Sequence, residues 1–167
     1  KEGFKKLISL HELMEIIQQF SFLLIPETCP VLEANQRVLA EDIQAGIAVP
    51  TFAKSAMDGY AVRAEDSYHA SPTKRINLHT VDQITPGNFS ALILQPGEAI
   101  EISTGAPIPE GADSVVMVEY CERKNPDEIW VSKPVSPGEN IITIGSDIQL
   151  GEGNITKGTN NKTGKNG

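Results

Sequence analysis

The sequence predicts a β-rich α+β fold, and three observations carry that prediction. Short runs of apolar and β-branched residues recur from Val49 onward, Pro-Gly pairs at Pro86-Gly87, Pro96-Gly97 and Pro137-Gly138 punctuate them, and one capped amphipathic helix precedes them. The length of 167 residues suits one ordinary domain or two small ones. Hydrophobic residues at 40% and charged residues at 22% exclude collagen-like and wholly disordered classes.

The helix comes first. Ser9-Leu-His-Glu12 is a capping-box pattern, and Leu10, Leu13, Met14, Ile16, Ile17 and Phe20 follow at helical spacing before Pro26 ends the run. Such a stripe packs against a core or a subunit interface. A second short helical piece is expected over 31–35. Residues 37–43 read as an extended segment that alternates poorly, hence one covered on both faces. Strands are then expected over 60–63, 91–94, 99–103, 114–120, 129–133 and 140–144, with Asn125-Pro126-Asp127 turning a hairpin. After Gly151 the chain becomes rich in Gly, Asn, Lys and Thr, and residues 156–167 are expected to be a disordered polar tail.

Composition narrows the function. A net charge of −8 offers no broad basic surface, which argues against a nucleic-acid partner. No apolar run approaches the length of about 18 residues that a membrane span requires, and 1–10 holds no apolar signal-peptide core. Cys29 and Cys121 belong to no metal-ligand spacing and read as free, buried thiols of a reducing, cytoplasmic compartment. His11, His69 and His79 form no zinc-binding pattern. No Walker or Rossmann glycine motif is present.

Two loops can carry chemistry. In Lys54-Ser-Ala-Met-Asp-Gly-Tyr-Ala-Val62, Asp58-Gly59 is a hairpin signal, with Gly59 expected to take positive φ. The same turn can instead project Asp58 as a rigid carboxylate beside Lys54 and Ser55, which suits Mg²⁺, an ion that takes one or two protein carboxylates plus substrate phosphates. In Ser103-Thr-Gly-Ala-Pro-Ile-Pro-Glu-Gly-Ala-Asp113, Gly105 permits close backbone approach, and Thr104 offers a hydroxyl and amides that could hold an oxyanion. A purely structural loop is the alternative in both cases.

Taken in order, these loops resemble the N-terminal half of the molybdopterin molybdenumtransferases, the MoeA and gephyrin family. The likeness extends to Leu32-Glu-Ala34 with Arg37-Val-Leu-Ala40, and to Gly138-Glu-Asn-Ile141 followed by Gly145-Ser-Asp-Ile148. It implies insertion of molybdate into adenylylated molybdopterin with release of AMP and with Mg²⁺, the last step of molybdenum cofactor assembly. It also implies an elongated, mixed dimerisation domain from 1–48 plus 138–155, and a β-rich domain inserted at 49–137. Asp58 and Thr104 would be catalytic, Lys54, Ser55, Ser103 and Gly105 would bind substrate, and Asp58 and Asp147 would meet the metal. The partners implied are a second copy in a homodimer, an anionic small molecule and other proteins of molybdenum cofactor biosynthesis.

The departures set further expectations. Ala53-Lys54 stands where the family commonly has Asp-Asn. Gln36 replaces a family Gly, so Asn35 is expected to take the left-handed turn conformation. Ile141-Ile-Thr-Ile144 replaces a basic run, and Ser146 replaces a Glu, which bears on Asp147. The resemblance further implies a truncated N-terminal fragment without the family's α/β pterin-binding domain, inactive alone. A non-enzymatic dimerisation or scaffold module is the rival reading.

Overall fold

The computed structural model describes residues 8–19 and 25–159. The chain divides into two compact units, one of residues 1–42 and 155–167 and one of residues 43–154.

In the first unit, α1 spans Leu10–Gln19. Its capping box is formed: Ser9 N donates to Glu12 Oε2 at 2.8 Å, and Glu12 N donates to Ser9 Oγ at 3.1 Å. None of its residues is buried; Phe20 lies outside the described residues. A 3₁₀ turn follows at Val31–Glu33. Residues 37–43 are not covered on both faces, because Val38 and Ile43 are exposed. Hydrogen bonds tie the segment instead, with Leu39 N donating to Thr159 O at 3.2 Å and Gly158 N donating to Leu39 O at 3.0 Å. Asp42 Oδ1 accepts from Lys157 N at 2.6 Å. Residues 156–159 of the expected tail are therefore paired, and 160–167 lie outside the described residues. The left-handed residue is Gln36, at φ 65°, rather than Asn35: Arg37 N donates to Ala34 O at 3.1 Å, and that turn places the positive φ on the residue just before Arg37.

The second unit is β-rich. Its strands are β1 (Ile43–Gln44), β2 (Lys54–Ser55), β3 (Gly59–Val62), β4 (Ile76–Ile84), β5 (Glu98–Ile102), β6 (Ser114–Met117), β7 (Cys121–Asn125), β8 (Glu128–Val131), β9 (Ile141–Ile142) and β10 (Gly153–Ile155), with one short helix, α2 (Ala64–Ser67). Six of them form a sheet in the order β6-β3-β5-β4-β8-β7, while β2 pairs with β9 and β1 with β10. β4 and β5 run parallel, and the other neighbours in this sheet are antiparallel.

Only a 3₁₀ turn, Val118–Tyr120, separates β6 on one edge from β7 on the other. Strands at opposite edges joined so tightly force the sheet to curl until its edges meet. The curl shows in Arg123 of β7, whose Nη2 donates to Tyr60 OH on β3 at 3.2 Å and also pairs with Glu101 on β5. Tyr60, Val62, Leu78, Ala99, Val116 and Ile129 pack on one face; Ala61, Ile84, Ile100, Ile102 and Val115 pack on the other. Both faces are covered along β3, buried at every position, and β6, buried at all but Met117, whereas β7 is largely exposed. Leu78 and Ile84 have the same parity along β4 yet sit on opposite faces. The register shift between Thr80 and Asp82 accounts for this, since one extra residue inverts the alternation.

All three Pro-Gly pairs make turns with Gly at positive φ. Each closes with an i to i+3 hydrogen bond: Asn88 N to Thr85 O at 3.0 Å, Glu98 N to Gln95 O at 3.1 Å, and Glu139 N to Ser136 O at 3.0 Å. Four strand expectations need correction, the first being 140–144, where only Ile141–Ile142 is a strand. Residues 91–94 form no strand, because the parallel pairing of β4 and β5 makes the stretch between them a crossover, held at Leu94 N by Glu110 O at 2.8 Å. The run 114–120 ends as a strand at Met117, where the 3₁₀ turn begins. The hairpin through 125–127 joins β8 to β7, not to β6. The cysteines are free but only half-buried. Burial, helped by Glu119, pushes the Cys121 thiol up to about 12.

No helix among the described residues is long and apolar enough to cross a membrane.

Candidate functional site

The site follows from strand direction. Because β4 and β5 are parallel, the loops leaving Ile84 and Ile102 emerge at one edge, and Ser103 N donates to Ile84 O at 3.1 Å to continue the pairing there. β3 is antiparallel to β5 with Gly59 opposite Ile102, so the segment entering β3 reaches the same edge. The sequence runs 52–58, 85–90 and 103–109 thus converge. Backbone bonds stitch the first to the third: Ser55 N to Ala106 O at 2.9 Å, Gly105 N to Ser55 O at 2.8 Å, and Ile108 N to Ala53 O at 3.0 Å.

Asp58 and Thr104 meet at this edge. Asp58 Oδ1 accepts from Thr104 N at 2.7 Å and from Thr104 Oγ1 at 2.9 Å. The amide first and the hydroxyl second hold the Asp58 carboxyl below its usual range, since both bonds favour the charged form. Oδ2 has no hydrogen-bond partner among the described residues, and Asp58 is exposed. Thr104's donors are therefore spent on a carboxylate of the chain itself and are not available as an oxyanion cradle.

Gly59 plays a different part from the one its dipeptide suggests. It is not at positive φ, and β2 and β3 do not pair with each other. A Cβ at position 59 would lie 2.0 Å from Val116 O, so glycine is required here by close backbone approach. Val118 N donates to Asp58 O at 3.0 Å and completes the fixing of the Asp58 backbone.

The other candidates are placed as follows. Ser55 is buried, and its Oγ donates to Met57 O at 2.6 Å, which shapes the loop instead of facing a ligand. Lys54 is half-buried on β2 opposite Ile142 and has no ion pair among the described residues. Ser103 is half-buried; Gly105, at φ 83°, would meet only Pro86 Cγ at 3.9 Å if it carried a Cβ. Asp147 sits in the turn after β9, where its N donates to Val49 O at 2.9 Å and its Oδ1 accepts from Ser146 Oγ at 3.3 Å. Among the described residues no hydrogen bond joins Asp147 to Asp58 or Thr104.

Sequence reasoning counts Asn140 in the Gly138-Glu-Asn-Ile141 likeness and in the expected strand 140–144 but gives it no role of its own. At φ 60°, it donates from Nδ2 to Val115 O at 2.8 Å and accepts from Ala56 N at 2.9 Å through its own carbonyl. It thereby braces the 52–58 segment from the side opposite Gly105. Its one signal is the residue type, since Asn tolerates the left-handed region.

The residues can be tested against Mg²⁺. Among the described residues no cluster of three or more His, Cys, Asp or Glu side chains could hold a metal unaided. One anchored, ionised carboxylate with an oxygen to spare fits an ion that completes its shell from water and substrate oxygens.

Comparison with known proteins gives a consistent result. The family model described as MoeA N-terminal region (domain I and II) matches residues 8–165. A Mycobacterium tuberculosis protein named molybdopterin molybdenumtransferase 2 is 36% identical over 143 residues, which are 86% of this chain and 35% of that protein. The molybdopterin molybdenumtransferase of Bacillus subtilis is 41% identical over 130 residues, 76% of this chain and 30% of that one. The crystal structure of the molybdopterin biosynthesis moeA protein from Pyrococcus horikoshii superposes with a TM-score of 0.75 at 41% identity, covering 78% of this chain and 34% of that chain. The chain thus spans about a third of the length of the relatives it matches.

Proposed function

The chain belongs to the family of MoeA N-terminal regions, and from that premise we propose that it supplies one wall of a molybdenumtransferase site. The reaction is insertion of molybdate into adenylylated molybdopterin with release of AMP, in the cytoplasm. The observation that carries this reading is the double hydrogen bond from Thr104 to one oxygen of Asp58, which leaves the other oxygen unpartnered on an exposed edge.

In this reading Asp58 would hold Mg²⁺ through its unpartnered oxygen, and the ion would supply screening of the substrate's phosphate charge. Thr104 is a positioning residue: it fixes the carboxylate's orientation and keeps it ionised. Lys54 contributes a positive charge to the same edge, while Ser103 and Gly105 line the approach and Ser55 holds the loop in shape. Asp147 is proposed as a further contact for the metal through solvent, independent of the Asp58–Thr104 pair.

Electrostatics requires help from outside this chain. Molybdate and an adenylylated pterin are anionic and the chain carries −8. Mg²⁺ and positively charged groups elsewhere in the assembled enzyme must therefore supply the attractive field. The exposed apolar side of α1, with Leu10 and Ile17 in water, is where a second copy would pack to form a homodimer. Other proteins of molybdenum cofactor biosynthesis are proposed as transient partners that deliver substrate.

The test is a chimera that joins this chain to the remaining two-thirds of the Bacillus subtilis relative, assayed for AMP release from adenylyl-molybdopterin with molybdate and Mg²⁺. AMP release that depends on Mg²⁺, and none from the 167-residue chain alone, is the expected result. A folded chimera that releases no AMP overturns the proposal.

A further inference from the structure

Asp58-Gly59 is the only Asp-Gly pair in the 167 residues, and the dipeptide has a covalent chemistry of its own. The backbone nitrogen that follows an Asp can attack the side-chain carboxyl carbon, and glycine, lacking Cβ, shields that nitrogen least. A bond forms between Gly59 N and Asp58 Cγ, the carboxyl OH leaves with the Gly59 amide proton as water, and a succinimide ring results. Water then opens the ring. Attack at Cγ restores aspartate, whereas attack at the α-carbonyl leaves isoaspartate, whose main chain runs through Cβ and Cγ.

The fold cannot escape this chemistry by replacing Gly59. A Cβ there would lie 2.0 Å from Val116 O, so glycine is required, and Asp58 is exposed to the water that ring opening consumes. Protection has to come from restraint. Ring closure must bring the Asp58 carboxyl and the following peptide nitrogen together, and hydrogen bonds hold the groups on both sides of that motion. Thr104 N and Thr104 Oγ1 donate to Asp58 Oδ1 at 2.7 and 2.9 Å, and Val118 N donates to Asp58 O at 3.0 Å. Gly59 is buried and stands in register with Ile102 on one side and Met117 on the other. Thr104 is itself anchored through its neighbours, since Ser103 N donates to Ile84 O at 3.1 Å and Gly105 N to Ser55 O at 2.8 Å.

We propose that Asp58-Gly59 is a latent isomerisation site and that the two Thr104 donors are the clamp that keeps it closed. Isoaspartate would lengthen the main chain by one atom between residues 58 and 59 and turn the carbonyl that Val118 N now meets into a free carboxylate. The Val118 bond and the Gly59 register could not then both persist. This inference invokes no metal and no substrate, so it stands apart from the functional reading above.

Ageing the full chain measures ring closure directly. The protein is incubated at neutral pH and physiological temperature, isoaspartate is quantified by isoaspartyl O-methyltransferase labelling, and peptide mapping locates it. The same chain in urea supplies the unrestrained rate. Asp58→Asn gives a second readout that is independent of carboxyl charge, because closure then expels ammonia and the peptide holding position 58 gains the mass of a carboxylate over an amide. The folded parent should isomerise slower than the unfolded chain by on the order of tenfold or more, since closure awaits local opening. Thr104→Ala, which loses one of the two donors, should speed closure on the order of fivefold with either Asp or Asn at 58. Thr104→Ser keeps both donors and should age like the parent. Equal rates in the folded and unfolded chain overturn the protected site. An unchanged rate in Thr104→Ala assigns the protection to strand pairing and overturns the clamp, and a slower one overturns it by showing that the donors assist closure. Should Thr104→Ala fail to fold, folded Thr104→Ser ageing at the unfolded-chain rate overturns the clamp equally.

Discussion

Asp58 and Thr104 lie 46 residues apart in sequence, yet one oxygen of the Asp58 carboxylate accepts both the amide and the hydroxyl of Thr104. The contact staples the segment entering β3 to the loop leaving β5, and it spends only one of the two carboxylate oxygens. Asn at position 58 would keep an oxygen acceptor for both donors and lose the charge. Asp58→Asn should therefore melt within a few degrees of the parent in calorimetry. In the chimera its AMP release should fall on the order of 100-fold or more, as for loss of a metal-holding group. Full activity of the variant would reduce Asp58 to a loop-shaping residue.

Thr104→Ala separates the two donors. The amide remains and the hydroxyl is lost, so the Asp58 carboxyl should titrate closer to its ordinary range than in the parent, while still below it. Because the folded-state value is depressed, this pair contributes stability that is present above the unfolded-state value and disappears as pH falls through the folded one. The acid limb of a melting-temperature profile should therefore begin near the same pH in Thr104→Ala but be shallower and finish at higher pH. Carboxyl ¹³C shifts of Asp58 measured across the acid range check the sign directly, and an unmoved titration midpoint would show that the hydroxyl bond contributes nothing.

Gly59 gives the sharpest stability prediction. The Val116 carbonyl that would meet its Cβ at 2.0 Å belongs to the neighbouring strand β6, backbone that cannot rotate aside as a side chain could. Gly59→Ala should cost on the order of 3 kcal/mol or more, beyond the usual overpacking range, because strand separation is the only relief. Chemical denaturation of the variant measures it. A loss under about 1 kcal/mol would mean that the β3–β6 register relaxes with little resistance.

How much of this was legible from the residues depended on whether local rules governed them. The capping box at Ser9 and Glu12, the three Pro-Gly turns and most strands of the curled sheet are decided within a few residues of chain, and the sequence pattern locates them. The two loops were recognisable by resemblance, but not the bond between them, because a contact 46 residues long leaves no local trace. Gly59 defies local rules for the same reason: Asp-Gly signals a hairpin, whereas its constraint comes from β6 across the sheet. The stretch 91–94 looked like a strand because Leu92, Ile93 and Leu94 are apolar. Of these only Leu94 is buried, the others being left on the surface by the crossover that parallel pairing of β4 and β5 demands.

The last prediction concerns Gln36, the one of two candidate neighbours that adopts the left-handed conformation, at φ 65°. A side chain there crowds its own carbonyl and costs roughly 1–2 kcal/mol, a cost that glycine does not incur. Glycine carries an opposing cost of roughly 0.5–1 kcal/mol from the freedom it gains in the unfolded chain. The first range lies at or above the second, so Gln36→Gly should stabilise the protein by roughly 0–1.5 kcal/mol. Gln36 makes no side-chain hydrogen bond among the described residues that the substitution would remove, so no third effect opposes this sign. Asn35→Gly meets only the entropic cost and should destabilise modestly. Denaturation midpoints of the two variants therefore move in opposite directions. If Asn35→Gly is the stabilising one, the left-handed turn belongs to Asn35 after all, and the hydrogen bond from Arg37 N to Ala34 O must close through a different backbone.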